Sequence, residues 1–452
     1  MAKIYFHFRL GNDDIPATFA PAGAETVEVP LIPNQHGLGH CIGTTIDELR
    51  QLGIAPTEIG VDFLLLGSAV LTVDKNVSRL DNSEDSWTRE LALSLPVSNP
   101  ALWTGVAPQI ISALEFLTGD KWTLEFRARP GTRAILARPP SQPTNLGIDC
   151  ISLLSGGLDS FIGAIDLLSA GQRVLFVSHS AVGTDSGRQR HLVNALGNQF
   201  LNNQPFHLRA SIRLQSAHLD NRKKEDTERS RSFLFYSIAA IAASACPAVN
   251  RIVVPENGFI SLNVPLEELR LGSLSTRTTH PFLIARISEI FTAVGIRAAL
   301  SNPYQFKTKW EMVRECANHN FLAAEIAGTI SCSSPNNARI HYGTHQCGYC
   351  VPCIIRRASL VNNIIPDTTQ YGIANLNAQT LPSNKKSGEH IRGFQAAILR
   401  LNNSRLRASV YVHESGPLND YPQSYDEFAG VYLRGMQEVS TLLIGVNTRP
   451  HA

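Results

Sequence analysis

The sequence predicts an α/β protein built on a doubly wound parallel sheet. Added to it are a metal-binding cysteine segment, a β-rich N-terminal domain and a helical C-terminal extension. Three observations predict this. From Asp149 onward, short apolar runs alternate with stretches of helical periodicity, the pattern of a sheet covered by helices on both faces. A glycine-rich turn, Ser155-Gly156-Gly157-Leu158-Asp159-Ser160, joins the first of those runs to the first helix. Four cysteines, Cys332, Cys347, Cys350 and Cys353, crowd into one stretch. At 452 residues the chain has room for several domains and a sizeable core.

Residues 1–145 are expected to form the β-rich domain. Ile4–Phe8, Val61–Leu66, Glu90–Pro96 and Trp122–Phe126 read as strands, the second leading into a helix, and Ile110–Leu117 as a helix. His36 and His40, beside Cys41, are weak candidates for metal ligands, because no second ligand cluster accompanies them. Pro139–Thr144 reads as a linker. In the next unit, 146–330, strands are expected at Cys150–Leu154, Val174–Ser178, His207–Ile212 and Arg251–Pro255. Helices are expected at Phe161–Ser169, Arg188–Leu201 and Arg229–Ala245. The cysteine segment spans 331–365. The extension, 366–452, carries helical periodicity at His390–Leu401 and Tyr425–Leu443.

A strand, a glycine-rich turn and a helix together aim backbone N–H groups at an anion. Gly156 and Gly157 tolerate positive φ and let a phosphate approach the backbone, while Ser155 and Ser160 add hydroxyls at the helix start. A serine capping a helix after a tight turn is the plainer alternative. Ligands of such sheets bind beyond the strand C-termini, where Ser155, His179 and Glu256 are expected to gather. Arg190, Arg229 and Arg231 suit a triphosphate, or are simply solvated. Lys307 and Lys309 stand at a helix start, where the dipole disfavours a cation unless an anion is present.

The turn resembles the SGGxDS loop of the PP-loop ATP pyrophosphatases. That resemblance implies that Ser155, Gly156, Gly157, Leu158, Asp159 and Ser160 hold the phosphates of ATP, with Mg2+. Gln189-Arg190-His191, Arg229-Ser230-Arg231-Ser232-Phe233-Leu234 and Lys309-Trp310-Glu311-Met312-Val313 follow in the order seen in the 7-cyano-7-deazaguanine synthase (QueC) family. Arg188 and Ser230 depart from that family's wording. Likeness to it implies adenylation of a 7-deazaguanine-type acid with release of pyrophosphate. Asp159, Lys309 and Arg229 would be catalytic, and His179, Gln189 and Arg190 would join the loop in binding ATP. The loop around Ser275–Pro281 would then read the acid, in altered wording that keeps only Arg277 and Pro281. The enlarged ends are similar to those of QueC-like proteins of bacterial antiphage operons. The synthase likeness implies an amide or a nitrile as product, and the enlarged ends add the expectations of a partner protein from the same operon and of a bond to a macromolecular amine.

Thiols at Cys347, Cys350 and Cys353, with Cys332 upstream, converge readily on one tetrahedral ion. Zn2+ is expected, an iron–sulfur cluster is the rival, and His341 and His345 are possible substitute ligands. Cys150, Cys246 and Cys316 show no ligand spacing. Bunched thiols, the absence of a signal-like segment and the lack of a long apolar helix predict a cytoplasmic protein without membrane partners. A net charge of +2 gives no broad nucleic-acid footprint, so a tRNA- or DNA-modifying role is the alternative reading. Its support is limited to the local clusters Arg222-Lys223-Lys224 and Arg405-Leu406-Arg407.

Overall fold

The computed structural model describes residues 4–14, 20, 23–32, 38–39, 42–179, 184–212, 219, 222–266, 277–403 and 408–450, with only the backbone given for 184–186. His36, His40, Cys41, Ser275 and Thr276 of the expected acid-reading loop and Arg405–Arg407 lie outside them. Two parallel sheets organise the chain.

The first sheet comes from β1 (Ile4–Arg9), β2 (Glu25–Pro30), β3 (Glu90–Val97) and β4 (Lys121–Ala128), in the order β2-β1-β3-β4. Its helices are α1 (Ile42–Gln51), α2 (Glu58–Asn76), the short α3 (Arg79–Asn82) and α4 (Pro100–Thr118). Segment 1–145 is therefore itself α/β, and the expectation of a β-rich domain is corrected. The Val61–Leu66 run lies wholly within α2, where Val61, Phe63, Leu64 and Leu65 are fully buried. A helix enclosed on all sides loses the one-sided periodicity that would identify it.

The second sheet comprises β5 (Cys150–Leu153), β6 (Val174–His179), β7 (Phe206–Ala210), β8 (Arg251–Val253) and β9 (Ala299–Ser301), in the order β7-β6-β5-β8-β9. Between and after these strands come α5 (Leu158–Ser169), α6 (Thr184–Gln199), α7 (Arg231–Ser244), α8 (Gly258–Leu262), α9 (Pro281–Ala293), α10 (Lys309–Glu315) and α11 (His319–Glu325). Strand alternation decides what each face packs on. Ile151, Leu175 and Val177 join the core shared with α7 and α9, whereas Cys150, Val174 and Phe176 pack with α5 and α6.

The two sheets share one apolar core rather than forming separate bodies. α2 and α4 lie on the first sheet and pack against α7 and α9 of the second. Phe63 sits at the centre, its ring centroid 5.6 Å from Trp103, 5.8 Å from Phe233 and 5.3 Å from Phe291. α2 and α7 approach closely because Gly60 and Gly67 face serines. A Cβ added at Gly60 would stand 2.0 Å from Ser244 Oγ, and one at Gly67 2.2 Å from Ser237 Oγ. The seven-residue spacing of the two glycines keeps them on one helix stripe.

The rest of the chain forms a helical layer: α12 (Pro335–Tyr342), α13 (Val351–Leu360), α14 (Lys386–Asn403), α15 (Ala408–Tyr411) and α16 (Tyr425–Leu442). β10 (Leu381–Pro382) and β11 (Thr448–Arg449) pair briefly beside it. Phe394, Phe428, Val431 and Met436 bury this layer against α8 and α13. Among the described residues no helix is long and apolar enough to cross a membrane.

Candidate active site and metal centre

The second sheet reverses its strand order between β5 and β8, which opens a crevice at their C-terminal ends. The Ser155–Ser160 turn fills one side of it. Gly156 has φ 87°, a conformation that a side chain would strain. Gly157 is the N-cap of α5. Ser160 Oγ donates to Gly157 O at 3.0 Å and lies 3.1 Å from Ser155 Oγ, which accepts the Gly157 N–H at 3.2 Å. The turn is thus preformed, with hydroxyls and a helix N-terminus at its rim.

Asp159 points away from the rim and ties the crevice together. Its Oδ1 is 2.8 Å from Lys309 Nζ, and its Oδ2 accepts from the backbone and side-chain amides of Asn257 at 3.1 and 2.6 Å. Burial alone would raise this carboxyl. The Lys309 ammonium, with hydrogen bonds from Glu256, Lys309 and Asn257, overcomes that and holds it at about 2. The neighbouring Glu256 moves the opposite way: burial and the Asp159 charge raise it well above the usual carboxylate range. The pair is therefore one carboxylate beside one carboxylic acid.

Lys309 is 3 % exposed and opens α10 behind a capping box, in which Thr308 Oγ1 accepts the Glu311 N–H and the Glu311 carboxylate accepts the Thr308 N–H. Backbone stitching fixes the two arms of the crevice to each other. Asn302 Nδ2 donates to Glu256 O at 2.8 Å, and the Gly258 N–H donates to Lys307 O at 2.8 Å. Gly258 must be glycine there, since an added Cβ would stand 2.0 Å from Gln305 O.

Gln189 and His179 complete the loop's surroundings. Gln189 Nε2 donates to Ser155 O and to His179 O, both at 3.2 Å. His179 ends β6 with Nε2 3.3 Å from Ile212 O and its ring edge-on to Phe235; burial, aided by the Arg231 charge, lowers it to about 4, so it is neutral. His179 Nδ1 and Gln189 Oε1 are buried without a hydrogen-bond partner among the described residues. Arg190 lies on the exposed side of α6. His191 pairs with Glu325 at 2.8 Å.

Arg229, expected among the catalytic groups, is placed elsewhere. Its Nη1 donates to Thr118 O at 2.9 Å, and its guanidinium lies 4.7 Å from the Trp87 ring centroid. It belongs to a buried network in which Arg79 and Arg89 pair with Asp120, Arg89 pairs with Asp74, and Ser230 bonds Asp74. That network fastens the start of α7 to the first sheet. Arg277, in turn, donates to Phe116 O at 2.8 Å and lies over the Phe116 ring. The sequence reading did not single out Asn257 as a ligand of Asp159; its place directly after Glu256 at a strand end was the available signal.

Cys332, Cys347, Cys350 and Cys353 form a buried group whose sulfur atoms all lie within 4.8 Å of one another. Cys347 and Cys353 are 3.9 Å apart, as are Cys350 and Cys332. Zinc–sulfur bonds of about 2.3 Å put the edge of a tetrahedron at roughly 3.8 Å, so the donor set fits a metal ion such as zinc. Neither His341 nor His345 belongs to the group. Gln346 Oε1 accepts the Cys332 N–H at 3.0 Å, and the fully buried Arg356 braces the segment through Thr329 Oγ1 at 2.7 Å and Ile326 O at 2.7 Å. The metal segment touches the glycine turn directly: the Ile330 N–H donates to Gly156 O at 2.9 Å.

No protein-family model and no curated protein matches the chain. Among solved structures it is similar to one described as the crystal structure of a ketoreductase domain from the bacillaene assembly line. The identity is 10%, over 67% of this chain and 80% of that one, with a TM-score of 0.21. A likeness that weak leaves the chemistry to be argued from the chain's own residues.

Proposed function

We propose that the chain is a PP-loop ATP pyrophosphatase of the 7-cyano-7-deazaguanine synthase type, which adenylates a carboxylic acid at the β5/β8 crevice. The observation that carries this reading is the preformed Ser155–Ser160 turn at a sheet reversal, whose buried Asp159 is paired with Lys309 from the other arm of the crevice. Both the strand order and the helices on both sheet faces suit a doubly wound fold. Backbone N–H groups of the turn and the α5 N-terminus bind the β- and γ-phosphates, with Mg2+ offsetting their charge. The unpartnered His179 Nδ1 and Gln189 Oε1 supply further polar contacts to the nucleotide.

A carboxylate oxygen of the acid attacks the α-phosphorus. The bond from that phosphorus to the bridging oxygen breaks, and pyrophosphate departs with the electron pair into the turn. Lys309 stabilises the charge that develops, and Asp159 holds its ammonium in place. An amine then attacks the acyl carbon and AMP leaves. By resemblance the acid is of the 7-deazaguanine type. Zinc is the ion proposed for the four thiols, where a closed site supplies rigidity rather than an open coordination position.

The test is incubation of the purified chain with ATP, Mg2+, 7-carboxy-7-deazaguanine and either ammonium or cell lysate, read by mass spectrometry. AMP, pyrophosphate and an amidated product are expected. ADP and phosphate in their place would overturn the reading. Elemental analysis after anaerobic purification should give one zinc per chain, whereas iron with visible absorbance would favour a cluster and sulfur chemistry.

A further inference from the structure

Helix α16 lies against both arms of the crevice. On one arm, Gly435 leaves room for the Phe259 ring, which would stand 2.4 Å from an added Cβ, and Val431 Cγ1 is 3.3 Å from the position of a Cβ on Gly258. Both contacts are to α8, the helix directly after Glu256 and Asn257. On the other arm, Arg434 Nε donates to Glu311 Oε1 at 2.7 Å and its Nη2 to Phe306 O at 2.8 Å, while the Thr308 hydroxyl donates to Glu438.

Thr308 and Glu311 are the two members of the capping box that starts α10, and Lys309 is the first residue inside that box. Glu438 therefore holds one end of the box and Arg434 the other. Docking α16 for stability alone would not call for these polar groups, because Phe428, Val431, Met436 and Val439 already bury its apolar stripe. A half-buried carboxylate costs free energy unless a specific partner uses it. Here the partner is the hydroxyl whose orientation sets the first turn of α10.

We infer that Glu438 and Arg434 are positioning residues for Lys309, so that the C-terminal helix is part of the adenylyl-transfer machinery rather than an appended layer. The inference rests on the pyrophosphatase reading for its catalytic consequence, and on geometry alone for its effect on Lys309.

The experiment uses the full chain with three variants, Glu438→Leu, Glu438→Gln and Arg434→Met. Misplacing a reacting group by about 1 Å can cost about a hundredfold in rate, so Glu438→Leu should lower kcat about tenfold or more with the KM for ATP within about twofold. Glu438→Gln keeps an oxygen acceptor for Thr308 and should restore most of the rate. In a Lys309→Ala background, Glu438→Leu should add no further loss. Labelling by an amine-reactive reagent, read at Lys309 by peptide mass spectrometry, should rise in Glu438→Leu and stay low in the parent and in Glu438→Gln. Unchanged kcat in both Glu438→Leu and Arg434→Met, or equal loss in the Leu and Gln variants, overturns the inference. If the parent makes no AMP, the pyrophosphatase reading fails by itself. The labelling then decides, and a Lys309 equally protected in parent and Glu438→Leu overturns the inference. Arg434 is largely exposed, so its variant keeps the test open should Glu438→Leu not fold.

Discussion

Among the described residues the two larger parallel sheets each reverse their strand order once, the first between β1 and β3 and the second between β5 and β8. Topology thus provides a crevice twice. In the first sheet the polar groups at the strand ends are turned on one another. Asp62 accepts from the Ser98 N–H, the Ser98 hydroxyl, Trp103 Nε1 and Arg129, and Asp14 accepts from the Leu10 N–H and pairs with Arg127 at 2.9 Å. In the second sheet the base is paired off through Asp159, Asn257 and Lys309, while the α5 N-terminus stands at the rim and His179 Nδ1 and Gln189 Oε1 beside it are buried without a hydrogen-bond partner among the described residues. A strand reversal offers a place for a ligand. Polar groups left unpartnered there make it a site.

The contrast is broken most directly at Lys309. Lys309→Ala should lower pyrophosphate release about a hundred- to a thousandfold. It should also destabilise the fold by about 3–5 kcal/mol, because Asp159 is left as an uncompensated buried charge. A coupled pyrophosphate assay and urea denaturation read the two effects separately. In the first sheet, Asp62→Ala should also cost stability, since it removes the acceptor of Trp103 Nε1 and one of the two carboxylates paired with Arg129, yet leave turnover per folded molecule unchanged. A rate loss in that variant would show that the first crevice also takes part in the reaction.

Metal removal sharpens the comparison from another side. Cys350→Ser, or exhaustive chelation, should lower stability by several kcal/mol and weaken nucleotide binding at the Gly156 turn, which leans on Ile330. Calorimetry with ATP before and after chelation measures this. Unaltered affinity would mean that the Ile330 contact carries nothing to the loop.

The smallest effect is a pH dependence. Burial lifts Glu438 to about 7, against the bond from the Thr308 hydroxyl. Between its ordinary 4.5 and about 7 the folded chain holds a proton that the unfolded chain has lost, so this group makes stability fall as pH rises through that window. Glu438→Gln should remove that fall, a difference of about 2 kcal/mol at neutral pH once its partial exposure is allowed for. The neutral His179 and His207, each held near 4 by burial, impose the opposite slope, so the comparison is of variant with parent.

Much of this arrangement is legible in the residues. The turn at Ser155–Ser160 is marked by glycines between a continuous apolar run and a helical one, and the cysteine cluster by its spacing. Local chemistry of that kind survives folding. The first domain is harder to read, because α2 is walled in by a sheet on one side and α7 on the other, which erases the polar stripe of a surface helix. Arg229 is misplaced by sequence order for a different reason. Its partners Trp87 and Thr118 are more than a hundred residues earlier, and nothing near Arg229 announces them. Glu438 is invisible in the same way, since its partner Thr308 lies 130 residues before it.

That long reach has a consequence for how the protein is made. The glycine turn is bonded to Ile330, and Thr308 and Glu311 on either side of Lys309 are bonded to a helix that spans residues 425–442, so the turn leaves the ribosome well before the groups that complete it. Contacts separated so widely in sequence form slowly. A nascent chain thus carries an exposed loop without its lysine in register, and the first sheet, whose strands are all made early, has the outer face of α2 and α4 covered only once α7 and α9 follow.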